Sequence, residues 1–142
     1  NNLAGKTSLL ESCYLVKQSN LVISGDTGFL HAADLFHTKA IALMGPTAFG
    51  YPTGKQSEVI EVDLPCRPCT KDGHGKCKQS TWQKCMVDIL PKRVVDTALR
   101  ILDFKFHPTI KHTFNCKYSF SIVLFQHHIK RCSFILYTFK SD

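Results

Sequence analysis

At 142 residues the chain is one domain's worth and can bury a core of ordinary size, and none of its apolar runs, Ile122–Phe125 included, is long enough to span a bilayer. The formal net charge of +7 invites a nucleic-acid reading that the charge distribution excludes. Up to Asp103 twelve Lys and Arg face ten Asp and Glu, whereas from Phe104 onward six face one, so the excess sits in the tail and no basic stripe or recognition helix forms.

In chain order, Gly5-Lys6-Thr7-Ser8 resembles the tail of a Walker A loop whose first glycine would fall before residue 1, and the stretch is read instead as a helix start. Ser8 followed by Glu11 fits a capping box. Leu9, Leu10, Cys13, Tyr14 and Val16 then recur at helical spacing as a buried face, and Ser19-Asn20 ends the helix.

Leu21–Ile23 is a short apolar run with β-branched members, suited to a buried parallel strand. Gly25-Asp26-Thr27-Gly28 breaks the chain, its two glycines permitting backbone angles that a Cβ forbids. Asp26 or Thr27 is expected to cap the helix Phe29–Phe36 through a side-chain oxygen. Ala32 and Ala33 let that helix approach the sheet, and His37 reads as its end. Ala40–Met44 is a second strand, stopped by Gly45-Pro46. The unit is βαβ, and open α/β sheets bind ligands at the carboxyl ends of their strands.

The chemistry such a turn offers is anion binding. Amides of Thr27 and Gly28 point out of a helix start, where the dipole adds positive potential. Asp26 is a poor phosphate partner but a good acceptor for sugar hydroxyls, so the pair suggests a ligand with both a phosphate and a sugar. The plain alternative is that Asp26 only caps a helix. Thr47 is expected to wall the same pocket, because the turn-rich loop Ala48–Gly54 leaves the same sheet edge. Phe49 and Tyr51 either cover a nucleobase or close the core. Glu58–Leu64 alternates at its start and reads as a strand.

Cys66-x2-Cys69-x7-Cys77-x7-Cys85 offers three readings: four thiolates on a tetrahedral zinc, a disulfide pair, or free buried thiols. A zinc site usually has two tight pairs, and only the first pair is tight here. Pro91–Leu102 is a helix with Pro91 at its start and Val94, Val95, Ala98, Leu99 and Leu102 as its apolar face. From Phe104 to Asp142 the chain changes character. It carries no glycine and seven of the ten phenylalanines, with Ser119–Phe125 and Ser133–Phe139 as candidate strands of a hairpin. Such a tail would suit an out-of-frame or non-native extension.

The blocks Asn2-Leu3-Ala4-Gly5-Lys6-Thr7-Ser8-Leu9, Asp26-Thr27-Gly28-x-x-His31-x-Ala33 and Gly45-Pro46-Thr47 come in the order that resembles the C-terminal half of glycosyltransferase family 9, the heptosyltransferases of lipopolysaccharide assembly. The run Cys66-x-x-Cys69, Cys77, Cys85-Met86, Ile89-x-Pro91-x-x-Val94 also resembles many members. The resemblance covers about Asn2–Leu102. It implies an incomplete Rossmann-like C-terminal domain of the GT-B fold, a three-layer α/β/α sandwich with a parallel sheet, over residues 1–103, with 104–142 as an atypical tail.

The resemblance further implies a nucleotide-sugar donor, ADP-heptose, held by Asp26, Thr27, Gly28, His31 and Thr47, with His31 acting through hydrogen bonds. The acceptor is a lipopolysaccharide core sugar, transfer is inverting, and no metal takes part in it. No catalytic base is expected in this chain. That group belongs to an N-terminal acceptor domain that the chain, beginning without Met just before a helix, does not match, so it reads as a fragment that is inactive alone. The seven cysteines and the lack of a visible leader point to a reduced, cytoplasmic protein peripheral to the inner membrane. A nucleotide-binding module without transfer chemistry and a cysteine-clipped interaction domain stay open as alternatives.

Overall fold

Two short apolar runs build the centre of the molecule. The structure is a computed structural model, and it describes residues 2–47, 49–71, 73, 75–103, 120–128 and 131–139. β1 (Leu21–Gly25) and β2 (Ala40–Met44) lie parallel, with Val22 opposite Ala40 and Gly25 opposite Leu43. β3 (Ser57–Glu61) joins β2, also in parallel, and is shorter than the expected Glu58–Leu64 because a turn at Leu64, closed by the Arg67 amide, ends it.

On the other side of β1 runs β4 (Phe120–His128), parallel to it, followed by β5 (Arg131–Phe139), antiparallel to β4, in the order β3-β2-β1-β4-β5. The sheet is therefore parallel up to β4 and antiparallel at β5. Two residues separate His128 from Arg131, and so short a link joins antiparallel strands only. The rest of the tail, 104–119, 129–130 and 140–142, lies outside the described residues.

Alternation along the strands divides the core in two. On one face Val22, Ala40, Ala42 and Met44 meet Val16 of α1 (Leu9–Gln18) and Leu30 and Ala33 of α2 (Gly28–Leu35). On the other, Leu21, Ile23, Ile41 and Ile60 meet Ile89 and Ala98, the latter from α4 (Pro91–Ile101). A one-turn helix, α3 (Lys84–Val87), precedes α4. The result is the three-layer, partial Rossmann-like α/β fold that the sequence implies.

Helix ends follow the local chemistry. Ser8 and Glu11 form the expected capping box. α2 closes on His37, which takes a left-handed φ of 55° while the amides of His37 and Thr38 bond back to Asp34 and Ala33.

The buried face of α1 differs from the expected one. Ser12 and Val16 point inward, whereas Leu9, Leu10 and Tyr14 are exposed. The serines can face the sheet side because their hydroxyls are satisfied locally: Ser12 Oγ bonds the Ser8 carbonyl at 2.8 Å and Ser19 Oγ the Leu15 carbonyl at 2.6 Å. On α4, Ala98 is buried and Val95 is exposed, and Arg100 grips Glu58 of β3 through two bonds of 2.6 and 2.7 Å. Among the described residues no helix is long and apolar enough to cross a membrane.

The core assignment makes a direct prediction. Leu30 is fully buried and Leu35, on the same helix, is 74% exposed. Leu30→Ala should lower stability by about 2–5 kcal/mol and Leu35→Ala by less than about 0.5 kcal/mol, read from denaturant midpoints at unchanged slope.

Candidate functional site

The carboxyl ends of β1 and β2 bring together residues 21 positions apart in sequence. Asp26 follows β1 directly, and Thr47 follows the Gly45-Pro46 stop of β2. Thr47, almost fully buried, donates its hydroxyl to Asp26 Oδ2 at 2.5 Å. Gly50 is buried against the same carboxylate, and a Cβ there would overlap its oxygens. Asp26 is thus held from two sides by the loop after β2.

This arrangement replaces the expected side-chain cap. Thr27 is the N-cap of α2, yet neither it nor Asp26 caps the helix. The Asp26 carboxylate is turned to Thr47, and Thr27 Oγ1 pairs with Ser24 Oγ at 2.8 Å. The two glycines also serve differently from expectation, since neither Gly25 nor Gly28 has a positive φ. At Gly25 an added Cβ would make an ordinary contact with the Leu43 carbonyl at 3.7 Å. Over Gly28 lies open space, and the residue is exposed. His31, in the first turn of α2, is exposed too, and among the described residues no hydrogen bond joins it to the other four.

The loop after Thr47 is fastened at two further points. Tyr51 donates its hydroxyl to Glu61 and accepts from Arg67 at 3.3 Å, which assigns it to the loop's anchorage, while Phe49 is 73% exposed beside Gly50. Arg67, which the sequence reading passed over between two cysteines, spans the strand ends. Its Nε donates to the Gly45 carbonyl and its Nη1 to that of Val62, both at 2.7 Å, and its Nη2 to Glu61 at 2.8 Å. The Tyr51 hydroxyl and then Arg67 hold the Glu61 carboxyl below its ordinary range, and the same bond to Glu61 raises the Tyr51 phenol.

The second anchor is Asp34 on α2. It accepts from the Thr53 amide at 2.6 Å, the Gly54 amide at 3.2 Å and the Ser57 hydroxyl at 2.9 Å. Burial pushes the Asp34 carboxyl up, but these donors together outweigh it and leave it lowered. Nothing in the sequence marked Asp34, because an Asp on a helix face is ordinarily solvated.

The cysteines of the expected cluster, Cys66, Cys69, Cys77 and Cys85, line one small cavity as free thiols. The Gln79 amide lowers the Cys77 thiol, and burial pushes up that of Cys85. Among the described residues no three His, Cys, Asp or Glu side chains already have metal-holding geometry.

The model of glycosyltransferase family 9 (heptosyltransferase) matches residues 1–79, more than half of the chain and all of the strand ends just described. The chain belongs to glycosyltransferase family 9. Among relatives, it is 31% identical over 104 residues to lipooligosaccharide heptosyltransferase 2 of Campylobacter jejuni, a match covering 71% of this chain and 31% of that protein. It is 27% identical over 103 residues to lipopolysaccharide heptosyltransferase 2 of Escherichia coli, covering 71% and 28% respectively. The chain thus spans about a third of the length of the curated relatives it matches. No solved structure matches it. Family 9 membership accords with the partial Rossmann-like fold, of the GT-B class.

Asp34 yields a prediction with a defined sign. A lowered folded pKa means that the unfolded chain binds the proton more readily, so the contribution is present above the ordinary carboxylate range and fades as pH falls through the depressed value. Asp34→Asn should therefore cost about 1–3 kcal/mol at neutral pH. The gap to the parent should close in acid, as measured by denaturant unfolding across pH.

Proposed function

We propose that the chain is the donor-binding half of an inverting glycosyltransferase that moves a heptose, or a related sugar, from a nucleotide sugar such as ADP-heptose to a lipopolysaccharide core acceptor. Residues 1–103 form the donor-binding unit and 104–142 an added tail. The enzyme works at the cytoplasmic face of the membrane, and the acceptor site and general base lie in an N-terminal domain.

The observation that carries this reading is Gly28. Neither backbone conformation nor packing requires a glycine at the head of α2, and the space over it is open. A ligand at that helix start needs that space. A diphosphate there meets first-turn amides and the positive end of the helix dipole. Asp26 keeps acceptor capacity beyond its Thr47 bond, since a carboxylate offers about four lone-pair sites. It is fixed in orientation for sugar hydroxyls. Phe49, exposed next to Gly50, is available to lie over the planar base, and His31 to bond the donor from the helix surface.

In the transfer an acceptor hydroxyl attacks the anomeric carbon, its proton passes to the base, and the bond from that carbon to the diphosphate oxygen breaks. The nucleoside diphosphate departs with the bonding pair. Negative charge grows on the leaving phosphate, where preorganised amides stabilise it more than they do the ground state.

Calorimetry on the purified chain tests the reading. The intact nucleotide sugar should bind more tightly than free ADP. Asp26→Ala should weaken the sugar nucleotide by about 10-fold or more and ADP by little, as expected for loss of a charged hydrogen bond. Gly50→Ala should act in the same direction by pushing the Asp26 carboxylate off Thr47. Equal affinity for ADP and the nucleotide sugar would instead favour a nucleotide-binding module. The chain alone should produce no transferred sugar, so measurable turnover without an N-terminal half would refute the division of labour.

A further inference from the structure

Four of the five free cysteines among the described residues converge outside the donor site. Cys66 and Cys69 lie in the turns after β3, Cys77 in the stretch before α3 and Cys85 in α3, yet all four line one cavity, together with Trp82 and Lys84. None of them is in a disulfide. From this convergence we propose that the cavity is a tetrathiolate site for a soft divalent cation, zinc, which clips the Cys66–Cys85 segment beneath the turn at the end of β2.

Zinc in structural sites takes four sulfur or nitrogen ligands in a tetrahedron. A donor to one of the sulfurs is already in place: the Gln79 side-chain amide donates to Cys66 Sγ at 3.3 Å. Such outer contacts orient metal ligands and support the thiolate form. The net charge of −2 on a zinc with four thiolates faces Lys84 in the cavity wall, whose ammonium also pairs with Asp88 at 2.5 Å.

Cys77 Sγ also lies 3.7 Å from the Thr81 carbonyl, a thiol contact that the metal bond replaces. Since no three ligands yet have metal-holding geometry among the described residues, binding draws the sulfurs inward and closes the cavity they line. The exchange is redox-neutral: four thiols bind one Zn²⁺ and release four protons to solvent.

The clip bears on the strand ends without touching the donor. The amides of Cys69 and Thr70 bond the Pro46 carbonyl at 3.1 and 3.3 Å, and Met86, next to Cys85, packs so closely on Gly45 that a Cβ there would lie 2.6 Å from its sulfur. Closing the clip stiffens the turn that delivers Thr47.

The test uses the full chain, purified reduced and without chelator. Its metal content is measured, and Co²⁺ is then titrated into the metal-free protein as a spectroscopic substitute. We expect one zinc per chain, and a cobalt complex with the sulfur charge-transfer and tetrahedral d–d bands of a four-sulfur site that zinc displaces. C66S, C69S, C77S and C85S should each abolish that spectrum, and Cys13→Ser should retain it. If the variants do not fold, stoichiometry and spectrum of the parent chain decide the matter. Substoichiometric metal in the reduced parent, a cobalt spectrum indifferent to these cysteines, or a disulfide among them by thiol counting would overturn the proposal. None of these outcomes depends on whether a nucleotide sugar binds.

Discussion

The strand ends are held in register by one guanidinium. Arg67 has only 10% of its side chain exposed, and a charge so placed is tolerable only where its donors meet acceptors. Here they do: two main-chain carbonyls, one carboxylate and one phenol share them. Two of these acceptors, the Gly45 carbonyl and Glu61, belong to neighbouring parallel strands at the points where both leave the sheet. The fan of bonds sets how far apart the departing loops begin. Tyr51, caught by the same Glu61, brings the loop after Thr47 back across the strand ends. Arg93 adds a third tie by bonding the Glu61 carbonyl at 2.9 Å, so α4 is fixed to the same corner.

Asp26 gains its orientation from this corner at second hand. The carboxylate is positioned by Thr47 and Gly50, both on the segment that Arg67, Tyr51 and Asp34 pin down. A loop is ordinarily the mobile part of an α/β domain. Here it is bonded at the β2 exit, at Tyr51 and again at Thr53–Ser57, so it can hold a small group steady beside an open helix start. The same logic separates the two aromatic residues that the sequence left equivalent: the hydroxyl of Tyr51 gives it a partner, and Phe49 has no group with which to make one.

Much of the fold was legible because it rests on local signals. The β1-α2-β2 unit followed from two apolar runs and a glycine-bearing turn, the start of α1 from Ser8 and Glu11, and that of α4 from Pro91. The buried face of α1 was misread because periodicity counts Leu and Tyr as inward and Ser as outward. It cannot see that the Ser12 and Ser19 hydroxyls bond their own helix and so bury without loss. The meeting of Asp26 with Thr47 could be anticipated from topology, since both follow parallel strands. The roles of Arg67, Asp34 and Gly50 could not, because each depends on partners brought in by the chain's return across the sheet. Motif spacing carried the family resemblance, and the family model over residues 1–79 bears it out.

Small side chains set one further property. Ala33 on α2 faces Ala40 and Ala42 on β2, and all three are fully buried. Three methyl groups therefore gauge the depth at which α2 rests on the sheet. A helix of eight residues behaves as a short rigid rod, so any volume added beneath its middle tilts its open end by a comparable distance. The position of the head of α2 relative to Thr47 is thus calibrated at three buried alanines where helix and sheet meet.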